Sequence, residues 1–413
     1  MKVTWAIALT VACQSMWAQE YDLLIKNGHL IDAKNKLDQP MDVAVLDGKI
    51  AEVAARIPAE KAKQVIDAED LYVVPGLIDM HVHVFHGINQ DQYIANSYTS
   101  LPPDGFTFRH GVTTVVDAGS SGWRNFKTFR EQTIDNSKTR VLAFLNIVGW
   151  GMKGGAVEQN LGDMDPKLTA IVARQNKDVI VGTKLAHYSG HDWTPLERTV
   201  EAGELAGGIP AMIDFGGATP PLSIETLLLE KLRPGDIYAH CFAHVNGRMP
   251  VVDENGNVRP CVHQAHERGV LFEVGHGGGS FVFEQAMPAL DQGFLPDMIS
   301  TDLHTGSMNA GMKDMLNVMS KFLNMGMPLE DVIARSSWAP AVHLHREELG
   351  HLSVGAHADI AVLNLKEGDF GFTDVRGWKI QGDKKLECEL TLRDGKVVWD
   401  LNGLSMQEWQ TSK

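Results

Sequence analysis

The middle of the chain repeats one theme, and that repetition limits its fold more than any single motif. Eight apolar, β-prone runs follow one another at residues 77–83, 111–118, 140–148, 179–186, 209–214, 236–240, 269–274 and 298–302. Helix-like segments lie between most of them, clearest at 165–176, 194–205, 223–232 and 312–323, with Asp165, Thr194 and Ser223 suited to N-cap positions. Strands alternating with helices favour a parallel sheet, and eight such units favour a closed barrel over an open, doubly wound sheet. No glycine fingerprint opens a first helix, which counts against a dinucleotide site. Gly275-His276-Gly277-Gly278-Gly279 follows a strand but lacks the Lys-Ser/Thr of a phosphate loop.

The two ends of the chain have a different texture. Before residue 75 and again after 347, short alternating strands are joined by turn signals: Asn27-Gly28, Asp47-Gly48 and Asp394-Gly395. Neither end is long enough to close a sandwich alone. The expected fold is therefore α/β: a TIM-like (β/α)8 barrel over residues 75–346, carrying a small β-sandwich built from 20–74 and 347–413. A chain of 413 residues accommodates both units. Met1-Lys2 followed by the apolar run 3–12 and a short stretch to Ala18 reads as a secretory signal peptide over 1–19, since a membrane span would need about 20 apolar residues. The mature protein is then expected outside the cytoplasm, periplasmic or secreted; lipid attachment at Cys13 is the lesser alternative. Cys241, Cys261 and Cys388 are too scattered for a disulfide framework or a zinc cluster.

In a barrel of this type the active site lies where the strands end, so the polar residue closing each run is the informative one. The first run ends in His81 and His83, two apart and so on one face of a strand, where two imidazoles can share a metal ion. The fourth leads to Lys184, the fifth to Asp214, the sixth to His240, the seventh to His276 and the eighth to Asp302. Charged groups at the ends of apolar strands are costly unless paired or metal-bound. Singly, each has a plainer explanation: Lys184 pairing with Asp214, or His240 as a satisfied core histidine. A net charge of −15 with no basic block argues against nucleic acid and leaves a small molecule as the expected partner. It also leaves self-association into a homo-oligomer open.

Together, Pro75-Gly76-Leu77-Ile78-Asp79-Met80-His81-Val82-His83, the Gly111 to Gly119 strand, Lys184, Arg233-Pro234-Gly235-Asp236 before His240, the Gly275 to Gly279 loop and Ser300-Thr301-Asp302 resemble the amidohydrolase superfamily. Within it they most resemble the amidohydrolase/deacetylase branch related to dihydroorotases, over nearly the whole mature chain. The resemblance implies two divalent ions, zinc being the expected metal. His81, His83 and Asp302 would hold one, His240 would help hold the second, and Lys184 would bridge them as a carbamate derived from CO2. It implies hydrolysis of an acyl bond, amide or ester, by metal-held hydroxide, with Asp302 as base and His276 contacting the substrate or its oxyanion. The expected activity is deacetylation or deacylation of N-acyl amino acids or related small acylated acids. A cyclic amidase, a dipeptidase and a catalytically silent scaffold are the alternatives.

One position departs from the family pattern. Dihydroorotase-like sites supply a histidine at strand five, where this chain has Asp214. Aspartate is a competent oxygen ligand, so Asp214 is kept as a candidate for the second ion, against a placement beside the site with one ion bound. As a ligand it lowers the formal site charge from about +1 to about zero. On the loop after Lys184, His187, Tyr188 and His191 are candidates for substrate contact, as are Trp123 and Arg124 after the second strand. Met312, Met315 and Met319 have the spacing of a helix core face.

Overall fold

The structure, a computed structural model, describes residues 19–87, 97, 99–214 and 217–409. The expected leader through Ala18, with Cys13, lies outside the described residues. Five strands open the chain: β1 (Tyr21–Asp32), β2 (Leu37–Leu46), β3 (Lys49–Ala54), β4 (Ala62–Asp67) and β5 (Tyr72–Pro75). Seven follow in the middle: β6 (Leu77–Val82), β7 (Val112–Gly122), β8 (Arg140–Asn146), β9 (Ile180–Leu185), β10 (Ala211–Ile213), β11 (Ile237–Tyr238) and β12 (Leu271–Phe272). Three close it: β13 (Ile360–Thr373), β14 (Lys379–Arg393) and β15 (Lys396–Asp400).

The outer strands form one eight-stranded sheet in the order β15-β14-β13-β5-β1-β2-β3, with β4 beside β1. The two chain ends meet where β13 pairs antiparallel with β5. Leu23, Ile25, Val43 and Val45 from the first part pack with Ile360, Val362, Leu390 and Leu392 from the last, so neither part has a core alone. Asp47-Gly48 and Asp394-Gly395 turn hairpins as expected. Asn27-Gly28 does not: it makes a bulge inside β1, where Asp42 accepts from the Asn27 amide and Asp67 from its side chain. Those carboxylates satisfy the local polar groups that would otherwise favour a turn.

β6 to β12 pair in sequence and in parallel. The eighth run is too short for a ladder, yet it closes the barrel through parallel bridges from Met298 to Glu273 and from Leu303 to Val82. Met80, Val116, Phe144, Val181, Met212, Ile237, Leu271 and Met298 form one buried cluster with a member from each run, which only a closed lumen allows.

The intervening helices agree with the sequence in place more than in their ends. Asp165 caps Pro166–Gln175 through the Lys167 and Leu168 amides, and Ser223 caps the turn at Ile224–Thr226, which continues as a π-helical turn. Thr194 is not a cap. It is the first residue of its helix, and Asp192 accepts from its amide and hydroxyl. The helix expected from residue 312 begins at Met315, because Asp314 accepts from the Asn317 amide. Met312, Met315 and Met319 are all buried.

Candidate active site

His81 and His83 lie at the end of β6, His240 just beyond β11, and Asp302 at the end of the eighth run, all at the C-terminal mouth of the barrel. Each imidazole has its Nδ1 committed. That of His81 faces Glu273 at 3.2 Å, that of His83 meets Ser120 Oγ at 3.0 Å, and that of His240 donates to the Gly275 carbonyl at 2.7 Å. The Nε2 atoms are left to face one space. Those of His81 and His83 lie 3.6 and 3.1 Å from Asp302 Oδ1, and that of His240 lies 3.5 Å from Asp214 Oδ2. Ligand atoms of His81, His240 and Asp302 all fall within 4.8 Å of one another. Anchoring one ring nitrogen fixes the tautomer and presents the other, the arrangement metal-ligating histidines share.

Lys184 enters the same space from β9. It is 1% exposed, and its Nζ has no hydrogen-bond partner among the described residues, so the simple Lys184–Asp214 pair is not formed. Burial lowers its pKa from the ordinary lysine value, against the opposing pull of Asp214, Glu273 and Asp302. An orphaned ammonium in a buried site is costly. Imidazole Nε2 atoms, carboxylate oxygens and a partnerless amine together fit divalent cations such as zinc.

Asp214 follows β10. Its Oδ1 accepts from Arg248 Nη1 at 3.1 Å, while Oδ2 faces His240 at 3.5 Å and His187 Nε2 at 3.9 Å. Arg248 is itself fixed, donating through Nε to the Tyr238 hydroxyl at 3.0 Å and through Nη2 to the Ala239 carbonyl at 2.6 Å. Burial would raise the carboxyl of Asp302, but His81, His83 and His240 outweigh it and hold it well below the usual carboxylate range. Burial pushes Asp79 up to about 7 despite its bonds from Thr301, and those bonds pin the eighth run to the first.

Backbone conformation marks the same residues. His187, His240 and Asp302 have φ of +58°, +56° and +51°, an uncommon region for side chains of this size. Two glycines leave room for Lys184 and Asp302. A Cβ on Gly119 would stand 2.6 Å from Lys184 Cγ, and one on Gly277 would stand 2.3 Å from Asp302 Oδ2.

Some expected residues lie elsewhere. His276 is fully buried behind the site: its ring stacks on Phe281, Nδ1 donates to the Gly277 carbonyl, and Nε2 receives Lys321 Nζ at 2.6 Å. Both ring nitrogens are spent, which corrects its expected contact with substrate; it braces the glycine loop. Arg124 stacks on Trp123 and pairs with Asp163 at 2.8 Å, and neither lines the cleft. His191 also lies outside the lining. Conversely, Glu273 and Arg248 enter the site although the strand-end pattern does not single them out. A glutamate inside the apolar run Phe272-Glu273-Val274 is a readable signal. Arg248 sits in a loop and carries none.

Above these groups opens a cleft of about 340 Å3, lined by His187, Tyr188, Asp214, His240, Arg248, Asp302, His304 and the Gly278-Gly279-Ser280 stretch, among others. That volume suits a small molecule. Among the described residues no helix is long and apolar enough to cross a membrane.

Residues 283–398 match the amidohydrolase family. A deacetylase of Agrobacterium fabrum is 35% identical over 338 residues, 80% of each chain, and a deacetylase of Enterococcus faecalis is 32% identical over 386 residues, 92% of this chain and 99% of that protein. The crystal structure of an adenine deaminase superposes with a TM-score of 0.83 at 30% identity, covering 92% of this chain and all of the other. A dihydroorotase structure gives 0.78, also at 30% identity, covering 92% and 99%. With its barrel, its sandwich drawn from both chain ends and its His-His-Asp cluster, this chain belongs to the amidohydrolase family and is a metal-dependent hydrolase of C–N bonds.

Proposed function

We propose that the protein deacylates N-acyl amino acids or related small acylated acids with the help of two divalent ions, zinc the expected metal, which Lys184, carboxylated on Nζ, would help to hold. The observation that carries this is the buried Lys184 amine, without a hydrogen-bond partner among the described residues and set among His81, Asp214, Glu273 and Asp302. Carboxylation turns a costly cation into an anion with two oxygens to share. His81, His83 and Asp302 would hold one ion, and His240 and Asp214 the other. When bound, such ions polarise an acyl carbonyl and make water nucleophilic near neutral pH.

The chain's own residues do the rest. Asp302, kept anionic by its imidazole neighbours, accepts the proton of the attacking water and passes it to the leaving nitrogen. Glu273, Ser120 and the Gly275 carbonyl hold the three imidazoles in register. Arg248 occupies Asp214 Oδ1, leaving Oδ2 for the site. The two relatives named deacetylase, which match most of the chain, support deacylation over ring opening. The apolar leader supports an exported location.

The test is amine release from a panel of N-acyl amino acids with zinc and bicarbonate present. Release of free amine is expected; opening of a dihydroorotate- or hydantoin-like ring without any deacylation would replace the proposal by a cyclic amidase. Metal analysis of protein prepared without chelator should give two ions per chain. One ion would remove Asp214 from the ligand set.

A further inference from the structure

The wall of the cleft that follows β11 is held from outside at alternate residues. The Phe242 carbonyl accepts from the Val282 amide at 3.2 Å, and its ring packs among Phe281, Phe294 and Phe322. The His244 carbonyl accepts from Arg376 Nη2 at 2.8 Å, and its Nδ1 lies 3.4 Å from Glu284 on the helix Phe283–Asp291. Arg376, in the turn between β13 and β14, also pairs with Glu284 at 2.6 Å. Ala243 and Val245, the residues in between, line the cleft. The Arg248 amide donates to the Val245 carbonyl at 3.3 Å and closes the segment.

Most side chains around the cleft are polar: His187, Asp214, His240, Arg248, Asp302 and His304. Among the described residues, its apolar lining comes from the Tyr188 ring, Ala243 and Val245. Tyr188 and Ala243 are 7% and 4% exposed, so the protein itself covers them, whereas Val245 is 39% exposed. An open valine on a convex surface is ordinary. This one stands in a concave site on a backbone fixed from two sides, and a small molecule bound there can cover its methyl groups.

We propose that Val245, backed by Ala243, is the specificity-determining residue for an aliphatic substituent of the substrate, which packs on its side chain. The substrate class is then a small acylated acid with a short hydrocarbon chain, and a second charged group at that place is disfavoured. The choice of acylated acids rests on the deacylase reading above. The contact itself requires only that the substrate binds in this cleft.

The experiment uses the metal-loaded full chain and two series of compounds. One is N-acetyl amino acids lengthening from glycine through alanine, 2-aminobutyrate and norvaline to norleucine; the other is glycine acylated with acetate, propionate, butyrate and pentanoate. In one of the two series, each added methylene should raise kcat/KM of the wild type about 2- to 4-fold until the valine is covered, the effect of burying that much carbon. Val245→Thr, close in shape but with a hydroxyl in place of a methyl, should reduce this gain, and Val245→Asp should abolish it. Val245→Phe should move the optimum to a shorter chain. The ratio of long to short chain within one variant is the readout, because poorer folding or metal loading lowers every member alike. A length dependence identical in the wild type and the variants, or none in either series, would overturn the assignment and leave the deacylase reading standing. If nothing is hydrolysed, calorimetry with the same compounds on the metal-loaded wild type and Val245→Thr decides. A Kd that falls with chain length, and falls less in the variant, keeps the Val245 contact and removes the deacylase reading. No binding, or Kd values insensitive to Val245, removes both.

Discussion

Lys184 is the residue on which the chemistry turns. A bare ammonium between two cations would repel them, whereas a carbamate would hold them. With 13C-labelled bicarbonate, the zinc-loaded protein should show one carbamate carbon resonance that is missing from Lys184→Ala, and that variant should retain little metal. Glu273 acts one bond further out. Glu273→Gln keeps the shape but weakens the anchor on His81 Nδ1, and metal affinity is expected to fall about 10- to 100-fold, read by competition with a chelating dye. Asp302→Asn should lower kcat by at least about 100-fold with metal still bound; near-normal turnover would remove Asp302 as the proton carrier. The sequence pointed to Lys184 and Asp302 because each ends an apolar strand. It could not show that His276 turns away from the cleft, because ring direction depends on Phe281 and Lys321, neither of which is its neighbour in sequence.

At the scale of elements, the helix Met315–Asn324 carries an unusual load. Its Met315, Val318, Met319 and Phe322 pack into the core, and Lys321 is buried with them against His276 and the Gly311 carbonyl. Burial, helped by Lys313 and opposed by Asp374 and Asp314, lowers the Lys321 amine to about 7. Between that value and the ordinary lysine pKa of about 10.4 the unfolded chain binds the extra proton, so this group's contribution to stability improves as pH rises through the window. Urea midpoints measured near pH 7 and near pH 9 should therefore rise more, or fall less, in the wild type than in Lys321→Met. An identical pH response in the two would show that Lys321 titrates normally. Element ends were less legible than elements: Thr194 and Asp192 are both good capping residues, and only the observed chain path decided between them.

Across the whole molecule, polar contacts between distant segments tie sandwich to barrel. Asp359, just before β13, accepts from Arg140 at the start of β8 and from Arg393 at the end of β14, with all three side chains largely buried. Asp359→Ala leaves two guanidiniums with only the half-exposed Asp394 as a shared carboxylate, and a stability loss of about 1–3 kcal/mol is expected, measured by denaturant unfolding. Further along, the β13–β14 hairpin reaches the active-site face: Asp374 accepts from the Phe283 amide, and Arg376 donates to the His244 carbonyl and pairs with Glu284. Ala243 and Val245, which flank His244, also line the cleft, so Arg376→Ala should loosen that wall, raising KM more than it lowers kcat.

The sequence by itself determined the rhythm of the barrel, the two-ended sandwich and the meeting of His81, His240 and Asp302, because buried strands show as apolar runs and a barrel brings all their ends to one face. Only the tertiary structure decided the direction of each side chain there. It set the histidine Nδ1 atoms against anchors, left Lys184 without a hydrogen-bond partner among the described residues, brought Glu273 and Arg248 into the site, and clamped His187 with a glutamate 29 positions away. Hydrogen bonds between groups distant in sequence set those directions, and no local pattern of residues records them.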